Sequence, residues 1–143
     1  MRRFSLRRIP VPLRMGLAAL VVLYAAFGVY LGSMIKEIMT SAFEAEAYAV
    51  NNPYSDIISD EYYNRYVHRA RHDFSQPGAS YEYQLSPLPV VVHWFAGARV
   101  CIWYDDHYED DTGRMSGSSG VPVLFTLAWQ DGGWRVVDFY EAP

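Results

Sequence analysis

The chain contains a single cysteine, Cys101, among its 143 residues, so no intramolecular disulfide can form. The folded part must therefore be stabilised by its hydrophobic core. The residues around Cys101, from Arg99 to Trp103, have the composition of a β-strand, which favours a thiol packed against other side chains. An intermolecular disulfide or a nucleophilic role is the alternative.

The sequence also lacks the motifs of the commoner enzyme classes. It contains no G-x-S-x-G, no glycine-rich phosphate-binding loop and no C-x-x-C pair. These absences argue against the usual hydrolases, nucleotide-dependent enzymes and thiol oxidoreductases. We therefore predict no catalytic residue, no cofactor and no metal centre.

Positive charge is scarce after residue 14. Five of the 12 basic residues lie within the first 14 positions, and all 16 acidic residues follow them. The chain after residue 14 therefore has seven basic and 16 acidic residues, or a net charge of −9. Binding to nucleic acid requires clustered positive charge, and this acidic part of the chain argues against it.

The segment 15–35 contains 21 consecutive residues without charge. At about 1.5 Å per residue, a helix of this length matches the roughly 30 Å hydrocarbon core of a bilayer. We predict a basic leader (1–14), a single-pass transmembrane helix (15–35) and a folded domain (36–143). The excess of arginine before the span predicts a cytoplasmic N-terminus and an extracytoplasmic domain at the cell membrane.

A cleaved signal peptide is the alternative interpretation of this segment. The apolar region of a signal peptide usually runs about 7–15 residues and ends at small residues, whereas this one is longer and Gly32-Ser33-Met34 fits the A-x-A pattern poorly. An uncleaved signal-anchor is favoured. Gly28 and Gly32 form a G-x-x-x-G pair that would let two membrane helices approach closely, although glycine is common in membrane spans.

After the span, the sequence predicts two helical segments. Residues 36–50 continue the helical pattern and end before Pro53, because the residue preceding a proline is pushed out of helical geometry. A second helix is predicted from Ser59 or Asp60, either of which can cap it, to about Phe74.

From residue 79 the pattern becomes extended. Strands rich in Val, Tyr, Trp and Phe are predicted at 79–85, 89–95, 98–108, 121–129 and 133–140. Gln130-Asp131-Gly132-Gly133 is a strong hairpin signal, whereas 109–120 is predicted to be a long, mobile connection. Two helices packed on a curved antiparallel sheet of four to five strands make an α+β fold.

Three segments resemble the nuclear transport factor two-like superfamily, whose cone-shaped α+β fold is shared with ketosteroid isomerase and scytalone dehydratase. They are Ile57–Tyr63 after the first helix, the strand–turn–strand Val90–Tyr104, and the closing hairpin Val121–Tyr140 with its D-G-G-W turn and V-V-D-F ending. The resemblance extends over residues 36–143. It implies a pocket, open at one end, between the sheet and the helices.

The resemblance leaves several functions open. Enzymatic members of the family place acidic and tyrosyl groups in the pocket, whereas many others act as binding or assembly domains. The isomerase pattern of one tyrosine and two aspartates does not map onto specific positions here, so no catalytic residue is carried over. Membrane-anchored versions that resemble this layout are components of conjugation and type IV secretion machines, and fold similarity does not choose among these roles.

The segment 105–111 is the most distinctive local feature, because it is rich in acidic residues. Its candidate partner- or cation-binding residues are Asp105, Asp106, His107, Glu109, Asp110 and Asp111. Hard oxygen ligands suit calcium or magnesium, but the spacing does not fit a calcium-binding loop. A solvated acidic loop that can bind a basic partner is therefore favoured.

Histidines supply a second candidate site. His68 and His72 stand four residues apart on the predicted second helix, a spacing that can chelate zinc. They lack the glutamate of H-E-x-x-H and lie opposite the apolar stripe, so we expect both to be solvated. A structural role is also favoured for His93, in the strand 89–95.

A small-molecule pocket would be lined by aromatic residues and a carboxylate. The candidates are Trp94, Tyr104, Phe125, Trp134, Asp138 and Tyr140. Strict alternation places Asp138 and Tyr140 on the strand face that carries Trp134 and Val136, where a buried aspartate could act as a base. If that face points outward, Asp138 is simply solvated.

Together these features favour a non-catalytic, membrane-anchored binding or assembly module. Its partner would be another envelope protein or a second copy of the chain, as in an envelope, secretion or conjugation complex. The alternative is a small-molecule-binding cone pocket lined by the aromatic residues. Isomerase- or dehydratase-like chemistry in that pocket is the least favoured function.

Overall fold

The computed structural model describes residues 10–71 and 79–142, in which one long helix lies against a five-stranded antiparallel sheet. The α+β class predicted from the sequence is confirmed. Residues 1–9 of the predicted basic leader (1–14) lie outside the described residues, whereas 11–14 already belong to the long helix.

Helix α1 runs without interruption from Val11 to Glu44 and has 34 residues, or a length of about 51 Å. Pro12 stands in its first turn, where a missing backbone N–H breaks no helical hydrogen bond. Among the described residues, α1 is the one helix long and apolar enough to cross a membrane. The predicted boundary between span and domain, at residue 35, falls inside this helix.

The two halves of α1 have different surroundings. The large apolar side chains between Val11 and Tyr30 are mostly exposed, whereas those from Leu31 onward enter the core. The buried residues of the second half are Leu31, Gly32, Ile35, Ile38, Met39, Ala42 and Phe43. One helix thus supplies both an exposed apolar rod and one wall of the domain.

The helix ends at Glu44, six residues earlier than predicted, and Val50 is consequently exposed. The side-chain amide of Asn64 explains the early end. It accepts a hydrogen bond from the N–H of Ala49 and donates one to its C=O, both at 2.8 Å. These bonds replace the helical bonding that Ala49 would otherwise need.

Helix α2 spans only Asp60–Asn64, and its predicted N-cap is confirmed because the Ser59 hydroxyl accepts the N–H of Tyr62. The prediction of a helix reaching about residue 74 is wrong as far as the described residues extend. The chain turns tightly after Asn64 and makes a short 3-10 turn at Arg69–Arg71. Residues 66, 67 and 68 are all buried, and three consecutive residues cannot share one helix face.

The sheet contains the five predicted strands, of which the fourth begins six residues earlier than predicted. They are β1 (Ser80–Leu85), β2 (Val90–Trp94), β3 (Gly97–Glu109), β4 (Met115–Gln130) and β5 (Gly133–Glu141). β3 is central: β2 pairs with its first half and β1 with its second half, while β4 pairs with its other edge and β5 follows β4.

The turn between β4 and β5 is the predicted hairpin. Asp131 and Gly132 both have positive φ, 51° and 83°. This combination suits the two-residue turn that matches the twist of antiparallel strands, and it explains the Asp-Gly sequence.

The prediction that 109–120 forms a long mobile connection is wrong. The turn between β3 and β4 is confined to residues 110–114, and β4 begins at Met115. Gly117 permits this pairing, since a Cβ at this position would collide with the main-chain carbonyl of Asp106. Serine and glycine in this segment therefore mark closely paired strands.

The Gly28–Gly32 pair contacts β2 of the same chain. A Cβ on Gly32 would lie 3.1 Å from Val91 and 3.3 Å from Pro89, whereas one on Gly28 would lie 3.7 Å from His93. In this structure the pair allows close packing between α1 and a strand, just as a G-x-x-x-G pair allows close packing between two membrane helices.

We predict that Gly32→Leu lowers the free energy of unfolding by about 1–3 kcal/mol, because the larger side chain forces α1 away from β2. Gly28→Ala is the matched control and should stay close to the wild type, since its added methyl group has ordinary contact distances. Thermal unfolding of the detergent-solubilised protein measures both. Equal melting temperatures for Gly32→Leu and wild type would contradict this packing.

Candidate functional site

The six residues predicted to line a pocket do not lie together. Three are buried in the core beside α1: Tyr104, Phe125 and Trp134. Three are exposed: Trp94, Asp138 and Tyr140. One cavity cannot be lined by both sets, because they occupy opposite faces of the sheet.

A β-bulge in β5 accounts for the exposure of Asp138. Thr126 and Leu127, neighbours on β4, pair with Asp138 and Val136, so Val137 is an additional residue. The bulge exchanges the two faces of the strand. The prediction that Asp138 shares a strand face with Trp134 and Val136 is therefore wrong, and Asp138 is solvated.

A buried pair joins His68 to Asp106. Nδ1 of His68 lies 2.8 Å from Oδ2 of Asp106, and the two side chains are only 7% and 11% exposed. The prediction that His68 is solvated is wrong, because the chain leaves helical geometry after Asn64 and turns this residue inward. His72 lies outside the described residues.

The electrostatics of this pair define which atom donates. Burial by itself would raise the pKa of Asp106, but hydrogen bonds from His68 and from the N–H of Ser118 outweigh it and lower the pKa. An ionised carboxylate can only accept hydrogen bonds, so Nδ1 of His68 carries the proton that is donated.

Aromatic rings enclose the imidazole of His68. The ring centroids of Phe43, Tyr104 and Tyr66 lie 4.8, 5.5 and 6.3 Å from it. The pair therefore connects the segment after α2 to β3 within an apolar environment, where an unpaired charge would be costly.

Two tyrosyl hydroxyls lie in the same interior region. The Tyr104 hydroxyl donates to Oε1 of Glu141 at 2.6 Å. The hydroxyl of Tyr66 is fully buried and has no hydrogen-bond partner among the described residues, and burial raises its pKa. A buried hydroxyl without a partner costs about 1–3 kcal/mol, so this is the interior position where a water molecule or a small polar ligand would be stabilising.

Much of the acidic segment belongs to β3 and is engaged in hydrogen bonds. Oδ1 of Asp105 accepts from the hydroxyl of Ser119 at 2.6 Å and from the N–H of Gly120 at 2.7 Å. These two bonds lower the pKa of Asp105. They join β3 to β4 at the point where the regular pairing of the strands is interrupted.

Asp110 shapes the turn between the same strands. Its Oδ1 accepts from the N–H and hydroxyl of Thr112 and from the N–H of Arg114, at 2.6–2.9 Å. The hydrogen bonds from Thr112 and Arg114 lower the pKa of Asp110. Such a carboxylate stabilises a tight turn by occupying its N–H groups.

His107, Glu109 and Asp111 are the members of the acidic segment with exposed side chains. The described residues contain no group of three histidine, cysteine, aspartate or glutamate side chains placed to bind a metal ion. Binding to a protein partner through these exposed residues stays a prediction.

His93 packs against α1. Its ring stacks on that of Tyr24 with a centroid distance of 3.8 Å, and its Nε2 lies 2.9 Å from the Tyr24 main-chain carbonyl. The Tyr24 hydroxyl in turn donates to the carbonyl oxygen of His93 at 3.2 Å. These contacts border a groove of about 260 Å³ between α1 and β2, whose lining also includes Lys36.

Cys101 lies on β3 and is partly buried on the face of the sheet opposite the core. Burial raises the pKa of its thiol, which reduces the fraction present as the nucleophilic thiolate. The environment of Cys101 thus resembles that of a packed thiol.

The two ends of the domain differ in chemistry. The end beside the N-terminal half of α1 exposes apolar side chains, here called the proximal rim: Val90, Val92, Trp94, Phe95 and Trp129. The opposite end is the acidic hairpin, defined as residues 105–119 of β3, β4 and their turn. The molecule therefore has an apolar end and an acidic end along the direction of α1.

Strand parity could have identified the buried aspartate. Val100, Ile102 and Tyr104 alternate as buried residues, and Asp106 continues the same parity. No comparable signal marks Tyr66 or His68, because the tight turns that bury them interrupt the helical period.

Comparison with known proteins adds no further assignment: no protein-family model matches this chain, and no curated protein matches it.

We predict that Asp106→Asn lowers the free energy of unfolding at pH 7 by about 2–3 kcal/mol, because a buried charged hydrogen bond is lost. The folded-state pKa of Asp106 is lowered, so its contribution is present above the unfolded pKa of about 3.9 and is lost as the pH falls through the folded value.

The difference between wild type and Asp106→Asn should therefore shrink below about pH 4. Denaturant unfolding of Asp106→Asn, His68→Gln and the double variant measures the coupling. Additive effects of the two substitutions, or a difference independent of pH, would contradict the assigned pair.

Proposed function

We propose that this chain is a single-pass membrane protein whose α+β domain acts as a binding or assembly module on the extracytoplasmic side. The observation that supports this most is the continuity of α1. The helix exposes apolar side chains over its first 20 residues and then forms part of the domain core. A domain built around the end of a membrane helix has a fixed position at the bilayer surface.

The proposed orientation follows the charge distribution. Arginines are concentrated before the apolar segment, and the domain after it is acidic. Positively charged flanks remain on the cytoplasmic side, which places the acidic domain on the other side of the membrane.

We also propose that the domain is a member of the nuclear transport factor two-like superfamily. Its helices precede an antiparallel sheet, and α1 packs on one sheet face, in the order that the resemblance implies. This assignment supports a binding role but does not specify one.

The acidic hairpin is the proposed partner-binding surface. Asp105 and Asp110 form hydrogen bonds within the hairpin that order it, while Glu109, Asp111 and His107 are presented outward. It lies at the end of the domain furthest from the exposed part of α1. A partner with a basic surface therefore fits this site better than a second acidic copy of the chain does.

The test is chemical crosslinking in intact cells with a membrane-impermeant reagent, followed by gentle detergent extraction and mass spectrometry. We expect a reproducible partner with the wild type and its loss with the double variant Glu109→Gln/Asp111→Asn. Asp56→Asn/Glu61→Gln removes the same charge from an exposed region elsewhere and should retain the partner. Higher salt should weaken the complex as well.

Recovery of the protein without a partner would contradict the assembly role. Equal loss with both double variants would show that net charge matters and the acidic hairpin does not. Labelling of Ser116→Cys, in a Cys101→Ser background, by an impermeant maleimide on intact cells tests the orientation separately.

A small-molecule site remains the second candidate, supported by the unpartnered Tyr66 hydroxyl. If a bound water or polar ligand occupies it, Tyr66→Phe should lower the melting temperature. If the hydroxyl is simply buried without a partner, Tyr66→Phe should be neutral or stabilising. Tyr104→Phe is the comparison, because it loses the bond to Glu141 in either case and should be destabilised.

A further inference from the structure

The position of the sheet along α1 can be read from two contacts. Nζ of Lys36 donates to the carbonyl of Pro87 at 3.2 Å, and the Tyr24 hydroxyl donates to the carbonyl of His93 at 3.2 Å. The helix rises about 18 Å over the 12 residues from Tyr24 to Lys36. The extended chain covers about 20 Å over the six residues from Pro87 to His93. β2 therefore runs alongside α1 in the opposite direction.

This alignment leaves only a short part of α1 clear of the domain. The residues from Val11 to Leu23 number 13 and span about 20 Å, whereas the hydrocarbon core of a bilayer is about 30 Å thick. A spanning helix that enters the hydrocarbon at Val11 leaves it near Tyr30, about 9 Å beyond Tyr24. Arg14 then lies close to the other surface, where its long side chain can reach the headgroups.

We infer that the proximal rim lies within the bilayer, in the interfacial region and upper hydrocarbon of the leaflet on the domain's side. This inference rests on the proposed function, in which α1 spans the membrane. The ligand of the rim is the lipid surface itself, and the proximal rim is thus a lipid-binding surface continuous with the apolar face of α1.

The composition of the proximal rim fits this location. Phe95 is fully exposed, and Trp94 and Trp129 are each 52% exposed at the same end of the sheet. Tyr24 and Tyr30 are exposed on α1 at the neighbouring level. Tryptophan and tyrosine are enriched where protein crosses the membrane–water interface, whereas an exposed apolar cluster of this kind is unfavourable in water.

The main-chain polar groups at the edge of β2 are hydrogen-bonded at this level, as a medium of low polarity requires. Both main-chain polar groups of His93 meet the Tyr24 hydroxyl, with the N–H at 3.5 Å and the C=O at 3.2 Å. Unsatisfied strand edges are costly in lipid, and here a side chain of the membrane helix occupies the edge.

Charges at the neighbouring β4–β5 turn limit the depth. Asp131 and Arg135 approach within 4.0 Å of each other and remain partly exposed. Charged groups are expensive in hydrocarbon, so this turn stays among the headgroups. Insertion is consequently shallow, and local thinning of the bilayer makes up the difference between the length of α1 that is clear of the domain and the thickness of the hydrocarbon.

The test uses the full chain with Cys101→Ser and one new cysteine at a time, labelled with an environment-sensitive fluorophore. Phe95→Cys probes the proximal rim, Val21→Cys the exposed half of α1, and Ser116→Cys the acidic hairpin as the control. The protein is placed in vesicles of phosphatidylcholine and phosphatidylglycerol carrying nitroxide-labelled acyl chains. We expect a loss of fluorescence at positions 21 and 95 and none at 116.

A second measurement avoids the added label. In brominated-lipid vesicles, Trp94→Phe should remove part of the quenchable tryptophan fluorescence. Trp103→Phe should not, because Trp103 lies about 20 Å further along β3 from the β2–β3 turn.

Quenching at position 21 with none at position 95 would overturn the inference while leaving the membrane anchor intact. This result, together with a crosslink between two copies at position 95, would assign the proximal rim to self-association. No quenching at either position would instead refute the spanning role of α1, and with it the proposed function.

Discussion

The close contact between α1 and β2 determines how the domain is arranged around the helix. A helix that is apolar enough for lipid must also form the wall of a domain, and Gly28 and Gly32 allow the strand to approach it closely. Because residues 87–93 contact α1 from the level of Lys36 to that of Tyr24, these contacts determine the position of the sheet along the apolar helix. The exposed apolar part of α1 continues directly into the core of the domain without an intervening linker.

The acidic residues show a second constraint, which is that carboxylates removed from water need hydrogen-bond donors within the protein. Asp105, Asp106 and Asp110 each accept main-chain N–H groups from the facing strand or turn. Their negative charge is thereby compensated locally, and the hairpin keeps its shape. The exposed Glu109 and Asp111 are displayed on this ordered support.

Much of the fold could be predicted because its signals are local. The apolar helix, the five strands and the Asp131-Gly132 turn follow from uncharged length, strand composition and turn chemistry, which depend on neighbouring residues. The early end of α1 could not be predicted in this way, because Asn64 binds Ala49 through a contact that is distant in sequence.

The candidate site was less predictable because one extra residue reverses a whole strand face. The bulge at Val137 exposes Asp138, although alternation alone groups it with the buried residues. A run of carboxylates resembles a solvated loop until the facing N–H groups of β4 are known. The inward turn of His68 likewise depends on its distant partner, Asp106.

The continuity of α1 has a mechanical consequence. A rigid rod that joins a bilayer to a domain acts as a lever, so a change in helix tilt becomes a sideways displacement of everything attached beyond it. From Tyr24 to Glu44 the helix extends about 30 Å, so each 10° of tilt moves its far end by about 5 Å. If α1 spans a bilayer as proposed, the thickness of that bilayer influences the tilt, and the reach of the acidic hairpin across the membrane surface depends on the surrounding lipid.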